Sequence, residues 1–335
     1  MSRMLNKETL VLRSRVRLAR NFKLIPFPHL LSSERSRELV KIVEDAFYVN
    51  KAMEDDYVTH RLWELGRTDL LVAYEKHLVS AKLLNNSDRA AYIIDKMEDV
   101  SLMINEEDHI RLQVMSNDMD LESLYEKATK IDDLLSEKLN YAFDYNLGYI
   151  TACPTNLGTA MRASTMLHLP GFTLTDKIGY VTQALAQMGM TIRGIYGEGS
   201  QAEGNIYQIS NEVTLGIKEE DILYNLKDTI TKLLDEEQEQ QKKLLGQFSF
   251  EMQDKIYRSQ GTLMNARLMT SKEALYHLSL VRLGIETELL KDIDIHLIDG
   301  LIINTQPGMM QKSYGTELNE KDRDINRAKI IRSIF

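Results

Sequence analysis

The sequence predicts an α+β protein, an antiparallel sheet with helices packed on it, followed by an all-helical C-terminal domain. Three observations predict it. Short apolar or alternating segments recur between residues 11 and 210, mixed with amphipathic helical stripes. From Glu219 onward the apolar residues fall at helical spacing and no strand pattern returns. The length of 335 residues suits two domains at ~150 residues each.

Alternation from Val11 to Leu18 marks the first strand. Ser33 and Glu34, with Leu39, Val40, Val43 and Phe47 at helical spacing, mark a helix. Three short strands are expected near 90–94, 100–105 and 109–115. A helix over 120–143 carries Leu121, Leu124, Ala128, Ile131, Leu134 and Leu135 on one stripe. Strands return near 148–153 and 161–167, then a helix over 175–189, then strands near 190–195 and 204–210. Glu219 to Leu245 reads as one long helix, and its polar run from Asp235 to Lys243 as a solvated face or linker. Beyond 246 the chain reads as helical throughout. Thr270-Ser271-Lys272-Glu273 matches a capping box, and Asn319 is placed to cap the last helix. The expected domains are 1–240, bearing the sheet, and 241–335, helical. No internal repeat or low-complexity segment is present.

Composition narrows the function. A hydrophobic content of 43% and a charged content of 27% are ordinary for a soluble globular protein. The single cysteine, Cys153, excludes an internal disulfide and fits a reducing cytoplasm. No run of ~18 apolar residues is present, so no membrane span is expected. The N-terminus lacks the apolar core of a signal peptide. A net charge of -9 argues against broad nucleic-acid binding, which needs a basic face. Any anion site must therefore be a local cluster of arginines.

Arg13, Arg15 and Arg17 alternate along the first strand, so period two sets three guanidinium groups on one face. Such a face suits a solvated edge strand, or a polyanion whose phosphate oxygens match arginine forks. Arg111, Arg162 and Arg193 stand at further strand or strand–loop boundaries. The pattern GxxxxGK[ST] is absent, so a bound nucleotide would rest on arginines rather than on a P-loop. The stretch from Cys153 to Ser164 has a strand, polar loop, strand pattern that presents the loop at a sheet end. Its cysteine is either a small core hydrophobe or, beside arginines and a cationic substrate, a stabilised thiolate. Asn105-Glu106-Glu107-Asp108-His109-Ile110-Arg111 is either an acidic turn or a source of carboxylates that orient a substrate and accept its proton.

With Ser14-Arg15-Val16-Arg17, Arg193-Gly194-Ile195-Tyr196-Gly197-Glu198 and Ile209-Ser210-Asn211, these segments form an ordered set that resembles the phosphagen (ATP:guanido) kinases over roughly 10–240. Those enzymes move phosphate between ATP and a guanidinium group. The resemblance implies a phosphagen-kinase-like catalytic domain in which Arg15, Arg17, Arg111, Arg162 and Arg193 bind the ATP phosphates. It extends the ATP contacts to Arg13, Ser14 and Val16, to Ala163, Ser164, Thr165 and Met166, and to Gly194, Ile195, Tyr196 and Gly197. His77, read as a histidine on a helix, resembles the family histidine near the adenine. Glu107 and Glu198 are placed at the guanidinium, with Cys153 in contact with it. Glu106 and Asp108 are expected to help through local hydrogen bonds or metal-bound water. Mg²⁺ is expected to arrive with ATP, held by phosphates and water. Arg13 stands where the family usually has a small hydroxyl residue.

Two features depart from the metabolic phosphagen kinases. These carry a small helical domain ahead of the first arginine strand, and here that strand begins near residue 11, so an open site for a larger substrate is expected. The C-terminal helical region has no counterpart in them. It contains Arg323-Asp324-Ile325-Asn326-Arg327-Ala328, in which Arg323 and Arg327 share a helix face. That pair is either a surface charge pattern or a clamp for the phosphate of a phosphoarginine. The whole chain is similar to the bacterial protein-arginine kinase (McsB) family, where this motif forms a phosphoarginine pocket with an allosteric role. The resemblance implies phosphorylation of protein arginines, degradation by the Clp-type protease ClpC/ClpP, action on the CtsR repressor, activation by the zinc-binding McsA, and a homodimer. Leu275, Leu278 and Leu283 suit a dimer face or ordinary core. Two alternatives stay open: a kinase for free arginine or another small guanidino metabolite, and a non-catalytic adaptor that reads phosphoarginine.

Overall fold

A computed structural model of the chain describes residues 6–194 and 202–335. In chain order the elements are β1 (Val11–Arg20), α1 (Ser33–Phe47), α2 (Lys51–Asp56), β2 (Tyr57–Arg61), α3 (Arg67–Glu75), α4 (Ala81–Asn85), β3 (Ala91–Asp95), β4 (Val100–Ile104), β5 (Ile110–Ser116), α5 (Leu121–Ser136), β6 (Phe143–Asp144), β7 (Gly148–Tyr149), β8 (Met161–His168), α6 (Pro170–Leu174), α7 (Ile178–Gln187), β9 (Met190–Gly194), β10 (Ile206–Asn211), α8 (Glu219–Gln247), α9 (Ser249–Asn265), α10 (Ser271–Glu286), α11 (Ile295–Asn304), α12 (Pro307–Tyr314) and α13 (Glu320–Arg332). The fold is mixed α+β. Its chain divides into two compact units. The first comprises Arg13–Ser164 and Ser210–Lys227, the second the residues up to Leu12 with Thr165–Ile209 and Asp228–Phe335.

In the first unit the strands run in the order β2-β3-β4-β5-β1-β8. β1, β5, β4, β3 and β2 pair antiparallel in sequence. β4 is buried at every residue, because both faces of the sheet are covered. One face carries a core of Leu62, Ala73, Leu78, Leu83, Tyr92, Met103 and Met115. Against β5 packs α5, which buries Leu121, Leu124, Ala128, Ile131 and Leu135 at helical spacing. Each such leucine or isoleucine withdrawn from water contributes about 1.5–3 kcal/mol.

The second unit contains the order β8-β10-β9 and a helical core that includes Ile256, Leu263, Leu275, Leu278, Val281, Leu283, Ile298 and Ile331. Leu275, Leu278 and Leu283 are therefore core residues, not a free stripe. Thr270 and Glu273 form a reciprocal capping box at the start of α10. The Asn319 side chain accepts from the Asp322 N–H at the start of α13.

Several expectations shift in position. The helix expected over 120–143 stops at Ser136, because the next residues join the sheet: Lys23 donates to the Asn140 carbonyl and Ala142 to that of Asn21. The strand expected over 148–153 shrinks to Gly148–Tyr149, because side chains take over its backbone groups near Cys153. The polar run of α8 is not simply solvated. Glu237 and Gln241 are fully buried, and Glu237 accepts hydrogen bonds from the Gly171 and Phe172 N–H groups at the start of α6. His77 lies beyond the end of α3 at φ +60°, not on a helix.

Candidate active site

The site is built on β1 in the first unit. Ser14, Val16 and Leu18 point into the core, so period two turns Arg13, Arg15 and Arg17 to the opposite, half-buried face. Antiparallel register sets Arg17 against Gln113 and Ala19 against Arg111, which brings Arg111 diagonal to Arg17 on one face. Arg162 joins from β8, where its Nε donates to the Asn211 carbonyl at 3.1 Å. Asn211 also fixes that strand by accepting from the Ala163 N–H and donating to the Met161 carbonyl.

The cluster is electrostatically incomplete. Burial, then the like charges of Arg111, Arg13 and Arg162, lower the Arg15 pKa to about 9. Arg17 is pushed well below the ordinary arginine value by burial and by Arg15, Arg111 and Arg162, with only Glu106 opposing. Among the described residues the buried Arg15 Nε has no hydrogen-bond partner, and the Arg17 side chain makes no hydrogen bond and no ion pair. Arg13 is lowered by burial against the pull of Asp99 and Glu98, and donates to the Lys76 carbonyl at 3.1 Å. Unmet donors on crowded cations are what a polyphosphate satisfies, by forked charge-assisted hydrogen bonds. The residues present therefore fit a nucleotide.

The carboxylate turn between β4 and β5 is held by named partners. Asn105 sits at φ +61° and donates to the carbonyls of Ser36 and Arg89. Glu106 is buried, accepts from Arg111 and from Ser80 Oγ, and accepts from the Glu107 N–H at 2.8 Å. Burial would raise the Glu106 pKa, but Arg111 and these hydrogen bonds overcome it and lower it. Asp108 Oδ1 accepts from the Asn21 side chain and from the Ala152 N–H at 2.7 Å. His109 accepts from the Phe22 N–H through Nδ1 and donates through Nε2 to the Pro26 carbonyl, which fixes one neutral tautomer. Glu107 alone reaches outward, half-buried, and pairs with the exposed Lys82 at 2.9 Å. Such a pair is worth little, so an incoming guanidinium can replace the ammonium at small cost.

Asp108 links this turn to the cysteine loop. Its bond to Ala152 and the Thr151 Oγ1 bond to the Cys153 carbonyl position the residues on either side of the thiol. Cys153 is half-buried, with Sγ 3.1 Å from Thr155 Oγ1. A short 3-10 turn, Pro154–Asn156, follows. The loop closes through glycines: Tyr149 donates to the Gly158 carbonyl, and Gly148 (φ +70°) and Gly158 (φ +100°) leave no space for a Cβ. Thr214 ties it down by donating to the carbonyls of Thr155 and Leu157.

The first unit thus brings together Arg13, Arg15, Arg17, Arg111, Arg162 and His77. Burial and then Arg15 and Arg13 lower the His77 pKa to about 3, so its imidazole is neutral at physiological pH. Val16, Ser14, Ala163, Ser164 and Thr165 have buried side chains, and what they can offer a nucleotide is backbone. Thr165, Met166, Arg193 and Gly194 belong to the second unit, Met166 packing on its core and Arg193 half-buried on β9. Ile195, Tyr196, Gly197 and Glu198 lie outside the described residues. On α13, Arg327 is buried and donates to the carbonyls of Thr305 and Met269 and to Asp324, and Arg323 donates to the Leu318 carbonyl. Ala328 is core, and Ile325 and Asn326 lie nearer the surface. Asn21, Ser80 and Lys82 carry no sequence signal of their own, yet they orient the acidic turn, while Asn211, of the Ile209-Ser210-Asn211 segment, holds Arg162. Among the described residues no group of three or more His, Cys, Asp or Glu side chains could hold a metal ion. No described helix is long and apolar enough to cross a membrane.

Comparison with known proteins converges on this chemistry. Residues 38–240 match the ATP:guanido phosphotransferase C-terminal catalytic domain, and residues 249–335 the protein-arginine kinase McsB C-terminal domain. The chain is 50% identical over 323 residues to a protein-arginine kinase of Clostridium kluyveri, covering 96% of this chain and 94% of that one. It is 44% identical over 328 residues to that of Clostridium tetani, covering 98% and 96%. Among solved structures it is similar to the duplicated taurocyamine kinase from Schistosoma mansoni with bound transition-state analogue components. The TM-score is 0.61 at 28% identity, covering 71% of this chain and 34% of that one.

Proposed function

This chain belongs to the protein-arginine kinase family, within the ATP:guanido phosphotransferases, and on that premise we propose how its residues divide the reaction. It is an ATP-dependent kinase that phosphorylates arginine side chains of proteins. ATP supplies the γ-phosphoryl group, whose bond to the bridging β–γ oxygen breaks as the arginine nitrogen bonds to phosphorus. Arg15, Arg17, Arg111, Arg162 and Arg193 hold the phosphates and spread the charge that moves with the phosphoryl group. Mg²⁺ is held mainly by the phosphates and water. Glu107 and Glu198 grip the guanidinium fork, fix its nitrogen in line, and accept the proton it loses. Cys153 contacts the guanidinium as a positioning side chain, because transfer is direct and needs no covalent enzyme intermediate.

The observation that carries this reading is the arginine face of β1, with a buried Arg15 Nε that no atom of the described residues satisfies. Family membership supports the wider assignment. In it, 1–240 is catalytic, and 241–335 serves dimerisation and a phosphoarginine pocket around Arg323 to Ala328. The same membership supports a cytoplasmic enzyme that acts on the CtsR repressor, is activated by McsA, and marks proteins for ClpC/ClpP. Incubation with ATP and an arginine-bearing protein should give acid-labile phosphate on arginine, read by mass spectrometry under non-acidic conditions. Glu107→Gln should lower kcat by about 10²-fold or more. Phosphate on serine or tyrosine alone, or full activity in that variant, would overturn the reading.

A further inference from the structure

Beside the cysteine loop, in the same unit, lies a cavity of about 480 Å³. Gly158 and Thr159 of that loop form one wall, the β6–β7 hairpin another, and residues 214–221 leading into α8 the third. The hairpin displays Tyr145, 100% exposed, with Phe143 and Leu147 also exposed, and Val213 and Leu215 are exposed on the segment leading to α8. Clustered exposed apolar side chains on a soluble protein mark an interaction surface. This one stands on a rigid base. Arg20, paired with the buried Asp132, lies 3.5 Å from the Tyr149 ring centre, Tyr149 meets Phe143 edge to face, and Phe143 meets Tyr145 in the same way.

The charge around the cavity is predominantly acidic. Residues 141–149 and 211–221 contain five acids, Asp144, Glu212, Glu219, Glu220 and Asp221, against one base, Lys218. Glu219 and Asp221 line the cavity itself, with Lys218 as its one base. Aromatic side chains beside carboxylates suit a partner that is both basic and apolar. The cavity wall and the cysteine are also one piece of backbone. Thr214 donates to the Thr155 and Leu157 carbonyls, and Thr159 donates to the Thr214 carbonyl.

We propose that this cavity is a docking subsite for the polypeptide substrate, taking a basic and apolar stretch of extended chain beside the arginine to be modified. The proposal rests on the protein-arginine kinase reading and adds to it what kind of sequence context the enzyme selects. The chain segment occupies the cavity while its target arginine reaches the cysteine loop.

The test is fluorescence anisotropy with a labelled, unstructured peptide of arginine, leucine, glycine and serine, read beside kinase kinetics on the same peptide. Two double variants are made, Phe143→Ser with Leu215→Ser, and Glu219→Gln with Asp221→Asn, all at residues that line the cavity. Each should weaken peptide binding about tenfold and raise the peptide KM to match, while kcat and the KM for ATP stay at the parent values. A peptide with glutamate for arginine should bind the parent at least tenfold more weakly. Unchanged peptide affinity in both variants overturns the proposal. So does a shift from dimer to monomer in sedimentation with peptide affinity unchanged, which would make this face an interface between copies. If the parent protein transfers no phosphate to arginine, the functional reading falls, while the anisotropy still reports docking.

Discussion

Glu107 is a carboxylate held in waiting by a lysine. Its Lys82 partner is exposed, and their hydrogen bond holds the Lys82 pKa above the usual lysine value, against burial. If Glu107 grips the guanidinium as proposed, an arginine substrate must first displace this ammonium. Lys82→Met should therefore lower the KM for an arginine-bearing protein by about two- to fivefold, the scale of a surface ion pair, with kcat unchanged. A raised KM in a steady-state titration would instead make Lys82 part of the substrate grip. The arginines and Glu107 were legible in the sequence because their pattern is local, period two on a strand and an acidic run before Arg111. The residues that hold them were not. Asn21 reaches Asp108 across 87 positions, and Ser80 reaches Glu106 across 26. Such partners are single small polar residues, and only folding brings them together.

At the scale of the element, β1 sets function against stability. Its strand carries three guanidinium groups on one face, and Arg15 and Arg17 are disfavoured by burial and by their neighbours. An Arg15→Met replacement keeps the aliphatic stem and removes the charge. We expect the thermal midpoint without nucleotide to rise by about 2–4 °C, and nucleotide affinity to fall at least about tenfold. Calorimetry with and without ATP checks both, and a lower midpoint without nucleotide would show that the cluster does not strain the fold. Long elements with clear periodicity, β1, α5 and α8, were legible. The helices α2, α3 and α4 and the strand β2 were not, because elements of five to nine residues hold too little periodic pattern. Glu237 and Gln241 hid inside the polar run of α8, since a buried carboxylate with N–H partners looks in sequence like a solvated one.

Across the whole molecule, buried groups in the two units set pH slopes of opposite sign. His109, in the first unit, is buried with its pKa lowered to about 4, mainly by desolvation. Its unfolded value near 6.5 means that the unfolded chain binds the extra proton as pH falls. Stability from His109 is therefore complete above about pH 6.5 and is lost towards pH 4, on the order of 3 kcal/mol. Glu237, in the second unit, is fully buried with its pKa raised to about 7, chiefly by desolvation against the Phe172 and Gly171 hydrogen bonds. Here the folded chain holds the proton that the unfolded chain releases above about 4.5. Its contribution is complete below that value and is lost as pH rises through about 7, again on the order of 3 kcal/mol. Denaturant unfolding followed from pH 4 to pH 8 should separate them. His109→Gln should reduce, but not abolish, the positive slope of stability with pH between about 4 and 6.5, because His77, lowered to about 3, contributes in the same sense. Glu237→Gln should remove a negative slope between about 4.5 and 7, so that this variant gains stability with rising pH more steeply than the parent does. A parent curve at least as steep as that of Glu237→Gln would mean that Glu237 does not titrate as its surroundings require.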